Sequence, residues 1–336
     1  MLMNYYCYIF FLPMLMVTNL MMFISTSWFS MWMIMEINMI SFISLIIFDK
    51  NIKSEMFMNY FLVQTLNSYF FLFSSILINY INMVELMLLM MNLSMLNKLG
   101  MPPFYMWYLK IMKNLNWMNV LILSIFQKII PLLILNNVLM YKFSMIFNLV
   151  LMMLSGLYSS IKGLSQSNLK IIFCYSSIVQ MGWIIIMLIF SEMMCINYFM
   201  IYTFIMINLI MLLSNYNINN LNNMQLIKLN NKINYYLMNM CIFSLASMPP
   251  FFGFMMKLIV IKTMYYYLPM IMLLMLIMNS LISMFFYFRL LFNNIMINSM
   301  SNKLNYKFIN QINKYNYKIL LFSWLSIILL MMYEIM

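Results

Sequence analysis

Glu36, Lys98, Lys128 and Lys257 stand inside long apolar stretches of a 336-residue chain that is 66% hydrophobic and only 7% charged. A charge held at the centre of a bilayer costs roughly 2.5 to 17 kcal/mol, depending on how far water and headgroups reach it. Ionisable groups retained at that depth mark ion or proton pathways. Lysine suits such work: taking an ammonium out of water favours release of its proton, and a nearby carboxylate opposes the release. A Glu36 charge that moves relative to Lys98 therefore changes when Lys98 lets go. The pair is a two-state element that an outside event can bias. The competing account is structural, with each lysine snorkelling to an interface or holding helices together. It is weakest for Lys128, near the middle of its stretch, and stays open for Lys98 and Lys257. Arg289, near the end of a stretch, reads as an interfacial anchor, as do Glu85, Glu192 and Glu334 at stretch ends.

The elements that must position these groups are apolar runs long enough to cross about 30 Å of hydrocarbon. Eleven are expected, at roughly 3–23, 26–47, 57–80, 84–109, 117–140, 143–161, 170–190, 194–214, 235–266, 268–293 and 318–335, the ninth long enough to be two pieces. The mean hydropathy of +0.94 agrees with an all-α polytopic membrane protein. A membrane β-barrel would instead show short alternating segments. The chain enters its first apolar run almost at once, with no basic segment before it, so this run is expected to be a retained span.

Lysine placement orients the runs. Lys50 and Lys53, Lys110 and Lys113, Lys162 and Lys170, Lys228 and Lys232, and then Lys303, Lys307, Lys314 and Lys318 all follow even-numbered runs. Lys142 alone lies in an odd link. Cytoplasmic-type loops carry the excess of lysine, so the N-terminus and the even links share one face and the C-terminus lies opposite.

An internal echo organises the chain further. Met101-Pro102-Pro103-Phe104 returns as Met248-Pro249-Pro250-Phe251, each inside an apolar stretch. Paired prolines remove two backbone donors and break a helix, leaving carbonyls that protein or water must satisfy. Two broken spans at corresponding places in two halves point to an inverted-repeat transporter. One transmembrane domain over 1–336 is expected. Its first repeat covers about 1–140 with a broken helix at 98–104, and its second about 141–293 with a broken helix at 248–257. A solvent-side loop at 294–317 and a last helix at 318–336 follow.

Composition narrows the chemistry. With no histidine, and Cys7, Cys174, Cys195 and Cys241 scattered without a CxxC spacing, no haem, iron–sulfur or zinc site is evident. No glycine pattern for a dinucleotide appears either. One alanine, one arginine and five glycines against 49 methionines look like mutational pressure in an AT-biased organellar genome. The methionines then read as drift, not as a metal-binding code.

At these residues the sequence resembles the antiporter-like chain 2 family of mitochondrial NADH:ubiquinone oxidoreductase, respiratory complex I. Four blocks carry the likeness: Trp32 to Phe42 around Glu36; Lys98-Leu99-Gly100-Met101-Pro102-Pro103-Phe104 with Trp107; Gln127-Lys128 with Pro131; and Pro249-Pro250-Phe251-Phe252-Gly253-Phe254 with Lys257. Gly163-Leu164-Ser165-Gln166, leading to Tyr175-Ser176-Ser177-Ile178 and Met181-Gly182-Trp183, is similar to a further family segment. The last 50 residues match weakly. The resemblance implies inverted five-helix repeats with one broken helix in each. It makes Glu36 and Lys98 the coupling pair, Lys128 the central relay and Lys257 the terminal proton site. Tyr105 and Gln180 stand where relatives often have histidine, and with Ser176 they are secondary contributors. Leu109-Lys110 replaces a common Pro-Glu.

The expectation is a proton-translocating membrane-arm subunit of the mitochondrial inner membrane, with its N-terminus and even links on the matrix side and its C-terminus facing the intermembrane space. Its partners are other membrane-arm subunits, further antiporter-like ones among them, and membrane lipids such as cardiolipin, with no nucleic acid. The chain itself carries no cofactor or metal; NADH, FMN, iron–sulfur clusters and ubiquinone belong to the rest of the complex. A free-standing cation/proton antiporter and a purely structural membrane subunit are the rival readings.

Overall fold

The computed structural model describes residues 2–48, 54–78, 80, 84–139, 141–224, 232–249 and 251–301. Among these the chain is helical without strands, as the apolar runs predict. The helices are α1 Leu2–Ile24, α2 Trp28–Ile47, α3 Ser54–Leu77, α4 Val84–Leu99, α5 Met106–Asn114, α6 Trp117–Ser124 and α7 Phe126–Val138. They continue as α8 Lys142–Leu164, α9 Leu169–Phe190, α10 Glu192–Tyr216, α11 Lys232–Leu245, α12 Phe252–Met264 and α13 Met270–Ser301, with a single 3₁₀ turn at Leu221–Met224. Among the described residues seven helical segments are long and apolar enough to cross a membrane, and Tyr8–Ile24 is a shorter apolar helix. Each of the first ten expected runs coincides with one helix or a consecutive pair, while the eleventh lies outside the described residues.

Two expectations need correcting. The run at 117–140 is not one helix: it is interrupted at Ile125, between α6 and α7. Pro131 has no N–H to give the Gln127 carbonyl four residues back. Just before it the backbone tightens, with the Lys128 N–H reaching the Ile125 carbonyl at 3.1 Å. The expected loop at 294–317 also begins later, because α13 continues to Ser301; residues 302–317 lie outside the described set.

The residues form two compact units. The first holds α1 to α7, the α8 segment through Ser155, and 181–192. Its core is apolar (Phe42, Met91, Met95 and Ile134 are fully buried), but amides pair inside it. Asn92 and Asn148 exchange hydrogen bonds of 3.0 and 3.2 Å, each satisfying the amide that the other would leave orphaned. The second unit holds 156–180 and the described residues from Met193 onward. There α8 and α13 pack through small residues: Gly156 faces Asn279 and Gly163 faces Phe286, each two turns along its helix. A Cβ on Gly156 would come within 2.4 Å of the Asn279 side-chain nitrogen.

Candidate functional site

The first Met-Pro-Pro-Phe sequence ends α4 in a Schellman turn. Gly100 takes a left-handed φ of +71°, its N–H bonds the Asn97 carbonyl at 3.0 Å, and the Met101 N–H reaches the Leu96 carbonyl at 3.0 Å. The Phe104 N–H then closes on the Met101 carbonyl at 2.9 Å, and α5 starts at Met106. The indole N–H of Trp107 returns to the Asn97 carbonyl at 3.0 Å, a second donor for a carbonyl freed by the helix end. A side chain at Gly100 would strike Tyr108 at 2.8 Å, so glycine is required there twice over.

This break places Lys98 in the last turn of α4, where the helix dipole favours a cation. Its Nζ donates to the thioether of Met35 at 3.3 Å, a weak acceptor. Glu36 is the next residue on α2, and its carboxylate acts electrostatically on Lys98. The two make no direct hydrogen bond: Glu36 Oε1 is buried and has no hydrogen-bond partner among the described residues. Lys128, 3% exposed near the start of α7, holds its ammonium 5.2 Å over the Tyr108 ring.

A cavity with room for about one water molecule joins the two lysines. Lys98 and Lys128 both line it, with Gln64, Gln127, Trp107 and Tyr108. A second small cavity shares Lys98, Gln64 and Gln127 and adds Asn38 and Tyr60. The Gln127 amide is pinned at both ends, its Nε2 donating to Asn38 Oδ1 at 2.8 Å and its Oε1 accepting from the Tyr60 hydroxyl at 3.3 Å. Asn38 in turn donates to Asn19 at 3.4 Å. Gln64, Asn38 and Tyr60 were not legible as site residues. The only signal, an uncharged polar group inside an apolar helix, is shared by many asparagines and serines that merely bond their own helix.

In the second unit the chain turns in the same way as it enters the other Met-Pro-Pro-Phe sequence. Ser247 takes the left-handed position, with φ +56°. Its N–H reaches the Ser244 carbonyl at 3.1 Å, the Met248 N–H reaches that of Phe243 at 3.3 Å, and the Phe251 N–H closes on Met248 at 2.8 Å. Lys257 follows the break and reaches back to it: its buried Nζ donates to Ser247 Oγ at 2.7 Å. Gly253 lets the start of α12 lie against the end of α11, because a Cβ there would sit 1.9 Å from the Ser244 carbonyl oxygen. Gln180 is also buried here and accepts from the Tyr198 hydroxyl at 2.5 Å. Both face a small cavity with Ser244, Gly253 and Met256. Ser176 is buried and bonds the Phe173 carbonyl of its own helix. In the first unit Tyr105 is buried at the N-cap of α5.

Arg289 completes a helix end. Its guanidinium donates to the carbonyls of Gly163, Leu164 and Gln166, capping the C-terminus of α8 with a cation. Glu192 accepts from Asn136 at 2.9 Å.

Residues 25–283 match the family described as NADH:quinone oxidoreductase/Mrp antiporter, TM. The chain belongs to that family. It is 32% identical over 329 residues to NADH-ubiquinone oxidoreductase chain 2 of Anopheles gambiae, covering 94% of each chain. It is 34% identical over 276 residues to chain 2 of Rhipicephalus sanguineus, covering 82% of this chain and 85% of that one. Respiratory complex I from Thermus thermophilus contains a similarly folded chain, with a TM-score of 0.75 at 17% identity, covering 89% of this chain and 71% of that one. The membrane-bound sulfane sulfur reductase, an archaeal respiratory membrane complex, gives 0.77 at 17% identity, with 95% and 71% covered. The likeness to chain 2 read from the four lysine and glutamate blocks thus extends along nearly the whole sequence.

Proposed function

We propose that this chain translocates protons as a membrane-arm subunit of respiratory complex I in the mitochondrial inner membrane, driven by NADH-to-ubiquinone electron transfer on other subunits. Membership of the chain 2 type rests on the length-wide identity with named relatives. The observation that carries the proton-transfer reading is the cavity walled by both Lys98 and Lys128. Two amines facing space for about one water can pass a proton through it without touching.

In this reading Glu36 and Lys98 receive the coupling signal, Lys128 is the relay beyond them, and Lys257 is the terminal proton site. The weak thioether contact leaves Lys98 free to respond when charge near Glu36 changes. Lys257, anchored on Ser247, ties its ammonium to the second break. The two breaks then belong to two inverted repeats, covering about 1–140 and 141–293, and the lysine-rich even links face the matrix. Redox cofactors stay with other subunits of the complex, and cardiolipin is among the lipids expected around the chain. Moving one charge against 100 mV takes about 2.3 kcal/mol.

The test is membrane potential formed per NADH oxidised in sealed inner-membrane vesicles, comparing wild type with Lys128→Met at equal assembly. Pumping should fall severalfold per NADH, or fall together with oxidation in an intact complex. If Lys128→Met leaves both unchanged, the charges hold helices together and the relay reading is wrong. Lost assembly would place Lys128 in the structure of the subunit instead. Dependence of transport on sodium or potassium would favour an antiporter working alone.

A further inference from the structure

We infer that Gln64 is a positioning residue for proton transfer in the first unit, holding with Gln127 the water that joins Lys98 to Lys128; this rests on the relay reading above. Gln64 lies on α3, between Val63 and Thr65 in an apolar run, and is 7% exposed. It lines both small cavities beside Lys98, and with Lys98 and Gln127 it is common to the two. Gln127 is held at both ends of its amide by Asn38 and Tyr60. Gln64 has no side-chain hydrogen bond to any described residue. Its amide atoms are not sealed in apolar packing but open onto the cavity space the residue lines, where a small polar guest can meet its donors and acceptor.

Each cavity suits a water molecule in size and in partners. An amide carries no titrating proton, so Gln64 is not itself a carrier. Its oxygen accepts from a water and its nitrogen donates to one. A water held there can take a proton from the Lys98 ammonium while handing another to a neutral Lys128 amine. One N–H bond breaks at Lys98, one forms at Lys128, and the water is regenerated. Gln127, fixed by its neighbours, forms a rigid wall on which the water is oriented. Gln64 is free to follow the water between the two cavities.

The experiment compares Gln64→Met with Gln64→Ala in complex I of sealed inner-membrane vesicles, reading protons moved and NADH oxidised at equal assembly, with Lys128→Met alongside. Methionine nearly conserves volume but offers the water almost nothing; alanine opens space that further waters can fill. A water-holding role predicts that Gln64→Met slows coupled pumping by roughly tenfold, while Gln64→Ala stays within about twofold of wild type. A packing role predicts the reverse order, because alanine leaves a cavity and methionine does not. That reverse order, or two near-wild-type variants beside an uncoupled Lys128→Met, overturns the inference alone. An unaffected Lys128→Met overturns the relay reading and this inference with it. If Gln64→Met fails to assemble, Gln64→Leu takes its place under the same comparison.

Discussion

At the scale of single residues, the chain keeps glycine where a neighbour leaves no room for a Cβ. Gly253 is the sharpest case, since the atom that a Cβ would meet is a backbone carbonyl oxygen and cannot rotate aside. Gly253→Ala should therefore force α11 and α12 apart, costing more than about 3 kcal/mol. The expected result is a complex that fails to accumulate on native gels. Normal assembly with normal activity would show that the approach is softer than 1.9 Å implies. Ser247 shows the opposite choice at a left-handed position. Glycine would be unstrained there, yet serine supplies the hydroxyl that holds Lys257.

Among the helices, the recurring device is a terminus completed by a distant side chain. Trp107 supplies an indole donor to the end of α4, and Arg289 supplies a guanidinium to the end of α8. The Arg289 contacts continue the seam begun by Gly156–Asn279 and Gly163–Phe286, so α13 is locked to α8 over several turns. Hydrogen bonds to a charged group contribute roughly 1.5–3 kcal/mol. Arg289→Met should lower the melting temperature of the purified complex by a few degrees while leaving its proton-to-NADH ratio intact. Arg289→Lys should recover only part of the loss, because an ammonium lacks the planar fork that reaches several carbonyls. A lowered ratio at unchanged melting temperature would instead place Arg289 in the proton path.

At the scale of the whole molecule, the lysines predict sidedness. Lys110, Lys113 and Lys162 are exposed and follow even-numbered runs, so all three should face the matrix. A membrane-impermeant amine reagent should label them in inverted inner-membrane vesicles and leave them untouched in mitoplasts, read by mass spectrometry of the extracted chain. Labelling of any one from the mitoplast side would break the alternation on which the span order rests. The net charge of +12 is concentrated in the even-numbered links, whereas Lys98 and Lys128 line a cavity and Lys257 sits at a helix break.

Apolar runs of membrane-spanning length, the repeated Met-Pro-Pro-Phe, and lysines inside those runs were legible because each follows from local chemistry. A run long enough to cross must be helical, paired prolines must break it, and a charge kept there is too costly to be accidental. The sequence by itself therefore determined the all-helical class, both proline breaks and the four charges on which the proposed path rests. It did not reveal the interruption at Ile125, which falls within an apolar stretch that has no proline or glycine at the break. Nor did it separate Gln64 from the many polar residues that bond only within their own helix. Whether an amide faces another helix, a cavity or its own backbone depends on how helices rotate and approach. Only tertiary packing sets that, and it alone brought Lys98, Lys128 and the two glutamines around a space for water.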